Sequence, residues 1–242
     1  MKNILITGAS GGIGIEIAKE LAEKGNRLFL VYHQNDVPVI MLKQNHAKDC
    51  TIEIFKCDLT DSKSVDSLIE TIVTINKKID CVINCAGVST TKQIQDTTSK
   101  DFDFIFKSNV KSTVNVIKSA SKSMISEKYG RIINISSVWG VVGSSTESLY
   151  SATKGAINSL TLALAKELGP SGITVNAICP GFINTKMNSQ YSKEDVDAIA
   201  SETPMQRIGQ PEDVAGLVKF LLGDQASFIT GQIIRVDGGW TL

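Results

Sequence analysis

The sequence has no excess of positive charge and no long apolar segment. Lys and Arg together number 25, as do Asp and Glu, so no surplus charge could neutralise a nucleic-acid backbone or an anionic membrane. No apolar run approaches the roughly 18 residues of a membrane-spanning helix, and residues 1–6 are too short for a secretory signal. We therefore expect a cytoplasmic protein that binds neither nucleic acid nor a membrane.

Histidine is scarce, and cysteine is scattered. The two histidines, His33 and His46, are not at metal-ligand spacing from any cysteine, so no zinc cage is indicated. The five cysteines form no CxxC pair; they are Cys50, Cys57, Cys81, Cys85 and Cys179. This pattern predicts reduced, mostly buried thiols and no metal site.

Short β-rich apolar runs alternate with longer stretches of helical spacing such as Ile13, Ile17 and Leu21. The runs cover residues 3–6, 27–32, 51–56, 81–84, 131–135, 174–179 and 233–236. Several are apolar at nearly every position, as strands covered on both faces should be. The alternation predicts an α/β fold, a doubly wound (Rossmann) parallel sheet with helices on both faces.

No linker, charge block or internal repeat divides the chain, so we expect residues 1–242 to form a single domain. The longest irregular stretch runs from about residue 181 to 212, where Pro204, Gly209 and Pro211 interrupt a short helical pattern. Long ordered loops in compact domains are usually functional, so this segment is our candidate for a substrate loop.

A cluster of glycines follows the first strand and precedes a helical pattern over residues 15–24. Residues 7–14 read Thr-Gly-Ala-Ser-Gly-Gly-Ile-Gly. At a strand-to-helix turn, glycines let the backbone approach a pyrophosphate, whose charge the helix N-terminus stabilises. The spacing differs from G-x-G-x-x-G because Ile17 occupies the last position, and no G-K-[ST] follows. A glycine-rich turn without a ligand is the alternative.

The end of the second strand bears on the choice between NAD and NADP. A site that prefers NAD places an acidic residue there, whereas this chain has Tyr32 followed by His33, a possible cation for a 2′-phosphate. Asp36 lies a few residues further on and could reach a ribose, and Gly11 stands where a basic residue would have strengthened the case for NADP. The pattern favours NADP(H) and leaves NAD(H) possible.

Tyr150 and Lys154 are four residues apart in a segment with helical spacing, so their side chains project from one face. Tyrosine donates a proton readily at neutral pH, and a neighbouring ammonium would lower its pKa by stabilising the phenolate. The pair could therefore transfer protons. Taken alone, such a pair is more often a solvated helix face.

Two further polar positions could complete a site. Ser136 and Ser137 follow the fifth strand, and ligands of open parallel sheets bind beyond the carboxyl ends of the strands. Turn or N-cap chemistry explains these serines equally well. Asn109, in the preceding helical segment, is by itself typical of a surface residue or of a polar residue that kinks a helix.

Together these residues resemble the short-chain dehydrogenase/reductase family over essentially the whole chain, and most closely its 3-oxoacyl-[acyl-carrier-protein] reductases. The matching motifs are Thr7-Gly8-x-x-x-Gly12-x-Gly14, Asn84-Cys85-Ala86-Gly87, Asn109, Ser137, Tyr150-x-x-x-Lys154 and Pro180-Gly181-Phe182-Ile183-Asn184-Thr185. Each is weak alone, but in this order they are specific. The resemblance implies a seven-stranded sheet in the order 3-2-1-4-5-6-7, a homotetramer and a place in fatty acid biosynthesis.

The resemblance also implies roles for single residues. Tyr150 would be the general acid, Ser137 would polarise the carbonyl oxygen, and Lys154 would bind the nicotinamide ribose and lower the pKa of Tyr150. Asn109 would hold a water that relays protons to Lys154. The implied cofactor contacts are Gly8, Ser10, Gly12, Ile13, Gly14, Tyr32, His33, Asp58 beside the adenine, Asn84, Ala86, Gly87, Tyr150, Lys154, Ile183 and Thr185.

The chain departs from these reductases at several positions. Cys85 replaces the second Asn of N-N-A-G, a change we interpret as structural, and Glu147 stands where Gln is common. Lys128 keeps a basic residue on the rim where the acidic carrier would be received, but Ser171 supplies no second charge. These changes leave the redox chemistry intact and weaken the prediction of a carrier-bound substrate.

Three functions are therefore compared. The first is NADPH-dependent reduction of a 3-oxoacyl-[acyl-carrier-protein] or a related small carbonyl compound. The second is an NAD(P)-dependent alcohol, polyol or steroid dehydrogenase with the same catalytic residues, and the third is a non-catalytic dinucleotide-binding regulatory protein. Intact Asn109, Ser137, Tyr150 and Lys154 disfavour the third, and a hydrolase is disfavoured because no G-x-S-x-G is present.

Overall fold

The computed structural model describes residues 2–46, 48 and 50–242, and within them strands alternate with helices. The strands are β1 (Lys2–Thr7), β2 (Asn26–Tyr32), β3 (Thr51–Lys56), β4 (Cys81–Asn84), β5 (Gly130–Ile135), β6 (Ile173–Pro180) and β7 (Ile233–Val236). The α-helices are α1 (Gly12–Leu21), α2 (Val37–His46), α3 (Ser62–Asn76), α4 (Ser99–Phe106), α5 (Ser112–Glu127), α6 (Trp139–Val142), α7 (Ser148–Leu168), α8 (Lys193–Glu202) and α9 (Pro211–Leu222). A π-helical turn over Lys107–Lys111 joins α4 to α5.

The described strands form one sheet in the order β3-β2-β1-β4-β5-β6-β7, and every neighbouring pair is parallel. The predicted doubly wound sheet and the strand order implied by the resemblance are thus confirmed. From β1 the chain proceeds to β2 on one side and returns to β4 on the other. In such a sheet the ligand crevice lies at the carboxyl ends of the two strands where the order reverses, here β1 and β4.

Apolar side chains cover both faces of the sheet. Successive residues of a strand point to opposite faces, so Ile4 and Ile6 join the core beneath α1 and α9, whereas Leu5 joins the core beneath α3, α5 and α7. This two-sided burial explains why the strands are apolar at nearly every position. None of the helices in the described part of the chain is long and apolar enough to cross a bilayer.

Two predicted boundaries differ from the structure. Helix α1 covers Gly12–Leu21, whereas the apolar pattern predicted residues 15–24. The helix ends early because the Asn26 side chain donates a hydrogen bond to the Leu21 carbonyl at 3.1 Å, and Gly25 turns the chain with a φ of +95°. The segment 181–212 is less irregular than predicted, since it contains α8, whose first turn is capped by Ser192 and Asp195.

Candidate active site

The glycine turn after β1 provides a site for an anion. Gly8 has a φ of +61°, and a Cβ on it would lie 2.7 Å from the backbone N and Cα of Ala86. Helix α1 begins at Gly12 with no side-chain hydrogen bond at its N-cap, Gly11, and with no acidic residue in its first turn. The N–H groups and the positive end of the α1 dipole therefore remain available to a phosphate.

The loop after β4 forms a second wall against this turn. The Thr7 hydroxyl accepts hydrogen bonds from the backbone N–H groups of Cys85 at 3.2 Å and Ala86 at 3.3 Å. Asn84 Nδ2 donates to Asn134 Oδ1 on β5 at 2.9 Å, so this amide group is engaged within the sheet. The structure thus brings Ala86 to the glycine turn and Gly87 beside Asn109 and Lys154, while the Asn84 side chain points toward β5.

The segment after β6 forms the third wall. A Cβ on Gly12 would lie 2.8 Å from Thr185 Cγ2, so Thr185 lies directly over the first residue of α1. Ile183 is buried, pairs with Gly209 in an isolated parallel bridge, and accepts a hydrogen bond from Asn188 Nδ2 at 2.8 Å. These contacts fix Ile183 and Thr185 opposite the glycine turn.

The residues chosen for the adenosine end lie at the tips of β2 and β3. Tyr32 is half-buried, and His33 and Asp58 are exposed. Hydrogen bonds from Thr60, and to a smaller extent the charge of His33, hold the pKa of the Asp58 carboxyl below its ordinary value. Lys56 is paired with Tyr32 in the sheet register and is a cation that sequence reasoning missed, although it is the last residue of the third apolar run.

Asp36, the residue that complicated the cofactor prediction, lies directly before α2. Its backbone carbonyl accepts a hydrogen bond from the Ile40 N–H at 3.0 Å. Acidic residues stabilise helix N-termini, so the position of Asp36 explains why a carboxylate occurs here without a role in binding a ribose.

Tyr150 and Lys154 lie on α7 as predicted, with Lys154 Nζ 5.6 Å from the centre of the Tyr150 ring. Lys154 is buried, and its Nζ donates a hydrogen bond to the Ile135 carbonyl at the end of β5 at 2.9 Å. Ser137 follows β5 and borders the same cavity as Tyr150. The sheet edge and α7 therefore bring together three of the four predicted catalytic side chains.

Burial controls the electrostatics of this group. It raises the pKa of Tyr150 well above the ordinary value, an effect that hydrogen bonding to Ser137 only partly opposes. Burial also lowers the pKa of Lys154 to about 8. Lys154 was expected to lower the pKa of Tyr150, but the net direction is upward because removal from water outweighs the other effects.

Asn109, the fourth predicted catalytic residue, is fully buried in the π-helical turn and is not a surface residue. Its Oδ1 accepts a hydrogen bond from the Val88 N–H at 2.8 Å, and its Nδ2 donates to the Val88 carbonyl at 2.9 Å and to the Thr153 hydroxyl at 3.0 Å. A Cβ on Gly87 would lie 3.3 Å from Asn109 Oδ1 and 3.5 Å from Lys154 Nζ. Asn109 thus ties the β4 loop to α7 beside Lys154.

A cavity of about 290 Å³ opens beside Ser137 and Tyr150. Ile13 from the glycine turn and Ile183 and Thr185 from the third wall also border it. Ser89, Trp139 and Trp240 line the cavity but were not expected from the sequence. Glu147, noted in the sequence as a departure from the related reductases, and Tyr191, in the predicted substrate loop, line the cavity as well. Trp139 is only two residues after Ser137, and Glu147 three before Tyr150, but no local pattern indicates that Trp240 reaches this cavity.

The segment 181–212 supplies one side of the cavity through Phe182, Met187, Tyr191 and Ile199. The rings of Phe182 and Tyr191 meet edge to face with centroids 5.2 Å apart. This placement agrees with the choice of the segment as a substrate loop. Its closure over a bound substrate stays a prediction.

Cys57, Cys81 and Cys179 are buried thiols, as predicted. Cys85 lies beside the crevice, and burial raises the pKa of its thiol to about 12, so it is not an activated nucleophile. In the described part of the chain, no group of three His, Cys, Asp or Glu residues could hold a metal ion.

Lys128 does not lie where the resemblance placed it. It ends α5 just before β5 begins at Gly130, whereas Ser137 follows the other end of that strand. A six-residue strand is about 20 Å long, so Lys128 is at the opposite edge of the sheet from the cavity. The expectation of a basic residue on the rim of this chain's own cavity is therefore wrong.

Comparisons with known proteins agree with this geometry. A family model described as enoyl-(acyl carrier protein) reductase matches residues 8–241. The uncharacterized oxidoreductase YmfI of Bacillus subtilis is 39% identical and covers 99% of this chain and 98% of its own length. The 3-oxoacyl-[acyl-carrier-protein] reductase FabG of Staphylococcus aureus is 35% identical, with 98% and 97% covered.

Two solved structures share the fold over nearly the full length. YwfH, described as an NADPH-dependent reductase involved in bacilysin biosynthesis, has a TM-score of 0.94 at 27% identity and covers 99% of this chain and 98% of its own. ElxO, solved with NADP bound, has a TM-score of 0.90 at 32% identity, with the same shares covered.

Proposed function

Because the chain belongs to the short-chain dehydrogenase/reductase family, we propose that it uses NADP(H) to reduce a carbonyl compound to a hydroxyl compound, with Tyr150 as the proton donor. One observation carries the proposal: Ser137 and Tyr150 border a single cavity that reaches the glycine turn through Ile13 and Thr185. We also propose that residues 1–242 act as one domain, with 181–212 as the substrate loop.

The residues present fit a dinucleotide. The N-terminus of α1 has no side-chain cap and can therefore hold the pyrophosphate. A side chain at Gly8 or Gly12 would collide with Ala86 or Thr185, so glycine keeps the crevice open at both positions. Ser10, Gly14, Asn84, Ala86, Gly87, Ile183 and Thr185 are the further contacts we assign around it. Tyr32, His33 and Asp58 are assigned to the adenosine end.

NADP is preferred over NAD for two reasons. The tip of β2 carries no carboxylate, and His33 and Lys56 lie at the tips of β2 and β3, where either cation could pair with a 2′-phosphate. In addition, ElxO binds NADP and YwfH is NADPH-dependent, and both share the fold at full length.

The bound nicotinamide would supply a hydride to the carbonyl carbon. Ser137 donates a hydrogen bond to the carbonyl oxygen, and Tyr150 transfers its phenolic proton to that oxygen, which becomes the hydroxyl group. The raised pKa of Tyr150 keeps it protonated before reaction. Lys154 binds the ribose and stabilises the phenolate left behind, and Asn109 holds the water that restores the proton.

The first substrate we propose is 3-oxoacyl-[acyl-carrier-protein], since FabG proteins are similar to this chain over almost its full length. A small free ketone or alcohol, handled by an NAD(P)-dependent alcohol dehydrogenase, is the second candidate. It is favoured by the position of Lys128 away from the cavity and by the indole rings of Trp139 and Trp240, which narrow the cavity on one side.

Oxidation of NADPH and NADH, measured in parallel against acetoacetyl thioesters and a panel of free ketones, tests this function. We expect saturable turnover of a thioester with NADPH. Turnover with NADH alone would refute the NADP assignment, and turnover of ketones without any thioester would leave only the second candidate. No turnover of any carbonyl compound with either cofactor would refute the reductase itself.

A further inference from the structure

Glu147 places a carboxylate in the substrate cavity that the proposed redox steps do not use. Its Oε1 accepts a hydrogen bond from the Ser89 hydroxyl at 2.6 Å, and both residues border the cavity. Glu147 directly precedes α7 and lies three residues before Tyr150. The carboxylate is therefore close to the point where the substrate carbonyl must bind.

The charge of this carboxylate is not balanced by a neighbouring cation. Lys92 lies near it, since its backbone N–H donates to the Thr146 carbonyl, but its ammonium group pairs with Asp101 at 2.7 Å. Among the residues that the structure describes, Glu147 has no ion pair. Burial is the main cause of the raised pKa values of Tyr150 and Tyr191, and the negative charge of Glu147 raises both further.

Aromatic side chains form part of the wall of the same cavity. Trp139 and Trp240 meet with ring centroids 5.0 Å apart, and Phe182 and Tyr191 pack edge to face. Glu147 is half-buried, and in the described part of the chain the Ser89 hydroxyl is the only hydrogen-bond donor to its carboxylate, which can accept further hydrogen bonds. A substrate that displaces solvent from this cavity is therefore favoured when it supplies a further donor.

We propose that Glu147, oriented by Ser89, is a specificity-determining residue that accepts a hydrogen bond from an O–H or N–H group of the substrate and rejects substrates that carry a carboxylate. The inference rests on the proposed function and narrows its substrate class. With Glu147 in this role, the enzyme favours 3-oxo esters and thioesters over free 3-oxo acids, and it favours hydroxyketones over ketones that lack a hydroxyl group. Gln is common at this position in acyl-carrier-protein reductases. Its amide oxygen would accept a hydrogen bond but would not repel a substrate carboxylate.

Matched substrate pairs separate charge from hydrogen bonding. The first pair is methyl 3-oxobutanoate and 3-oxobutanoate, and the second is hydroxyacetone and acetone, each assayed with NADPH. We expect the native enzyme to prefer the ester by at least about tenfold in kcat/KM, because like charges repel across a desolvated contact. We also expect it to prefer hydroxyacetone, because a site built to bind a hydroxyl disfavours the analogue that lacks it.

Two variants test whether Glu147 causes these preferences. Glu147→Gln should remove most of the penalty on the free acid while keeping an acceptor for hydroxyacetone. Glu147→Met should abolish both preferences. Glu167→Gln, on the exposed side of the same helix, is the matched control and should change neither ratio. Thermal unfolding of each variant checks that it is folded.

The substrate ratios are a readout that a merely structural role of Glu147 would not alter. Native ratios in folded Glu147→Gln would overturn the inference alone, whereas a native enzyme that reduces none of the carbonyl compounds would overturn the proposed function with it.

Discussion

Tyr150 and Lys154 lie one turn apart on α7, and burial moves their pKa values in opposite directions. Removal from water disfavours the phenolate of Tyr150 and the ammonium of Lys154, so both groups shift toward their neutral forms. A neutral phenol is the form that donates a proton. The Tyr150 hydroxyl therefore keeps its proton before a substrate binds, as the proposed reduction requires.

Replacement of Tyr150 by Phe tests the proton donor. Phe fills the same space without the hydroxyl, so kcat should fall by about 10²–10⁴-fold, the usual contribution of general acid catalysis. Cofactor affinity, measured by fluorescence titration with NADPH, should stay near the native value. A Tyr150→Phe enzyme with native turnover would exclude Tyr150 as the proton donor.

The contribution of Lys154 to stability should rise with pH. Its pKa is about 8 in the folded chain and near its ordinary value of 10.5 when unfolded. Between these values the unfolded chain binds the proton and the folded chain does not, so the part of the free energy of unfolding that comes from Lys154 should increase with pH, by up to about 3 kcal/mol. Below pH 8 both states are protonated, and no such slope is expected from this group.

Denaturant unfolding at steps from pH 7 to 10 measures this effect. The raised pKa values of Cys81 and Cys85 act in the opposite direction above about pH 9, and that of Tyr150 does so above about pH 10. Lys154→Met removes the titrating ammonium while keeping an unbranched side chain and the same opposing groups. The free energy of unfolding of the native chain relative to Lys154→Met should therefore increase from pH 8 to 10. Parallel curves for the native chain and Lys154→Met would contradict the lowered pKa.

At the scale of helices and strands, the sequence predicted most of what the structure shows. The strand bounds agree to within a residue because buried strands of a parallel sheet are marked by continuous apolar runs. The glycine turn, Ser137 and Tyr150 were singled out because several short motifs occur in a specific order along the chain, although each motif is weak alone.

Other parts of the site depend on contacts between distant parts of the chain. Ser89 and Glu147 are 58 residues apart, and Trp139 contacts Trp240, which lies close to the C-terminus. The spacing of residues along the sequence cannot predict pairs that are so far apart in the chain. The burial of Asn109 was missed for the same reason, since its partners, Val88 and Thr153, come from the β4 loop and α7.

Gly14 and Gly216 both lie in helices, but only at Gly14 does packing leave no space for a side chain. A Cβ on Gly14 of α1 would lie 2.2 Å from the Gly8 carbonyl oxygen, whereas a Cβ on Gly216 of α9 would meet nothing within 4 Å. Gly14→Ala should therefore displace the glycine turn, lower stability by about 1–3 kcal/mol and weaken NADPH binding at least about tenfold. Gly216→Ala should leave binding unchanged and add up to about 1 kcal/mol of stability.

Denaturant unfolding and NADPH titration of both variants check this. The paired design matters because alanine is the better helix former at each position, so helix preference alone predicts the same sign for both. Equal effects at Gly14 and Gly216 would show that the close approach to Gly8 does not constrain the turn.

At the scale of the whole molecule, several apolar side chains remain exposed on helices that contact each other. Phe102 and Phe104 on α4 and Leu162 on α7 are 46%, 55% and 45% exposed, and α4 packs against α7. Large apolar groups exposed on neighbouring helices are typical of an interface. We therefore propose that this region helps to form the homotetramer that the family resemblance implies.

Leu162→Asp tests the assembly. A charge placed in an apolar contact would have to be buried without a partner, so the dissociation constant between subunits should rise at least about tenfold and the mass should shift toward dimers or monomers. Met41→Asp, at a position on α2 that is 56% exposed, is the control and should leave the mass unchanged. Light scattering over a dilution series measures both. A native chain that is monomeric at every concentration would reject the homotetramer, and a tetramer unaffected by Leu162→Asp would reject this region as its interface.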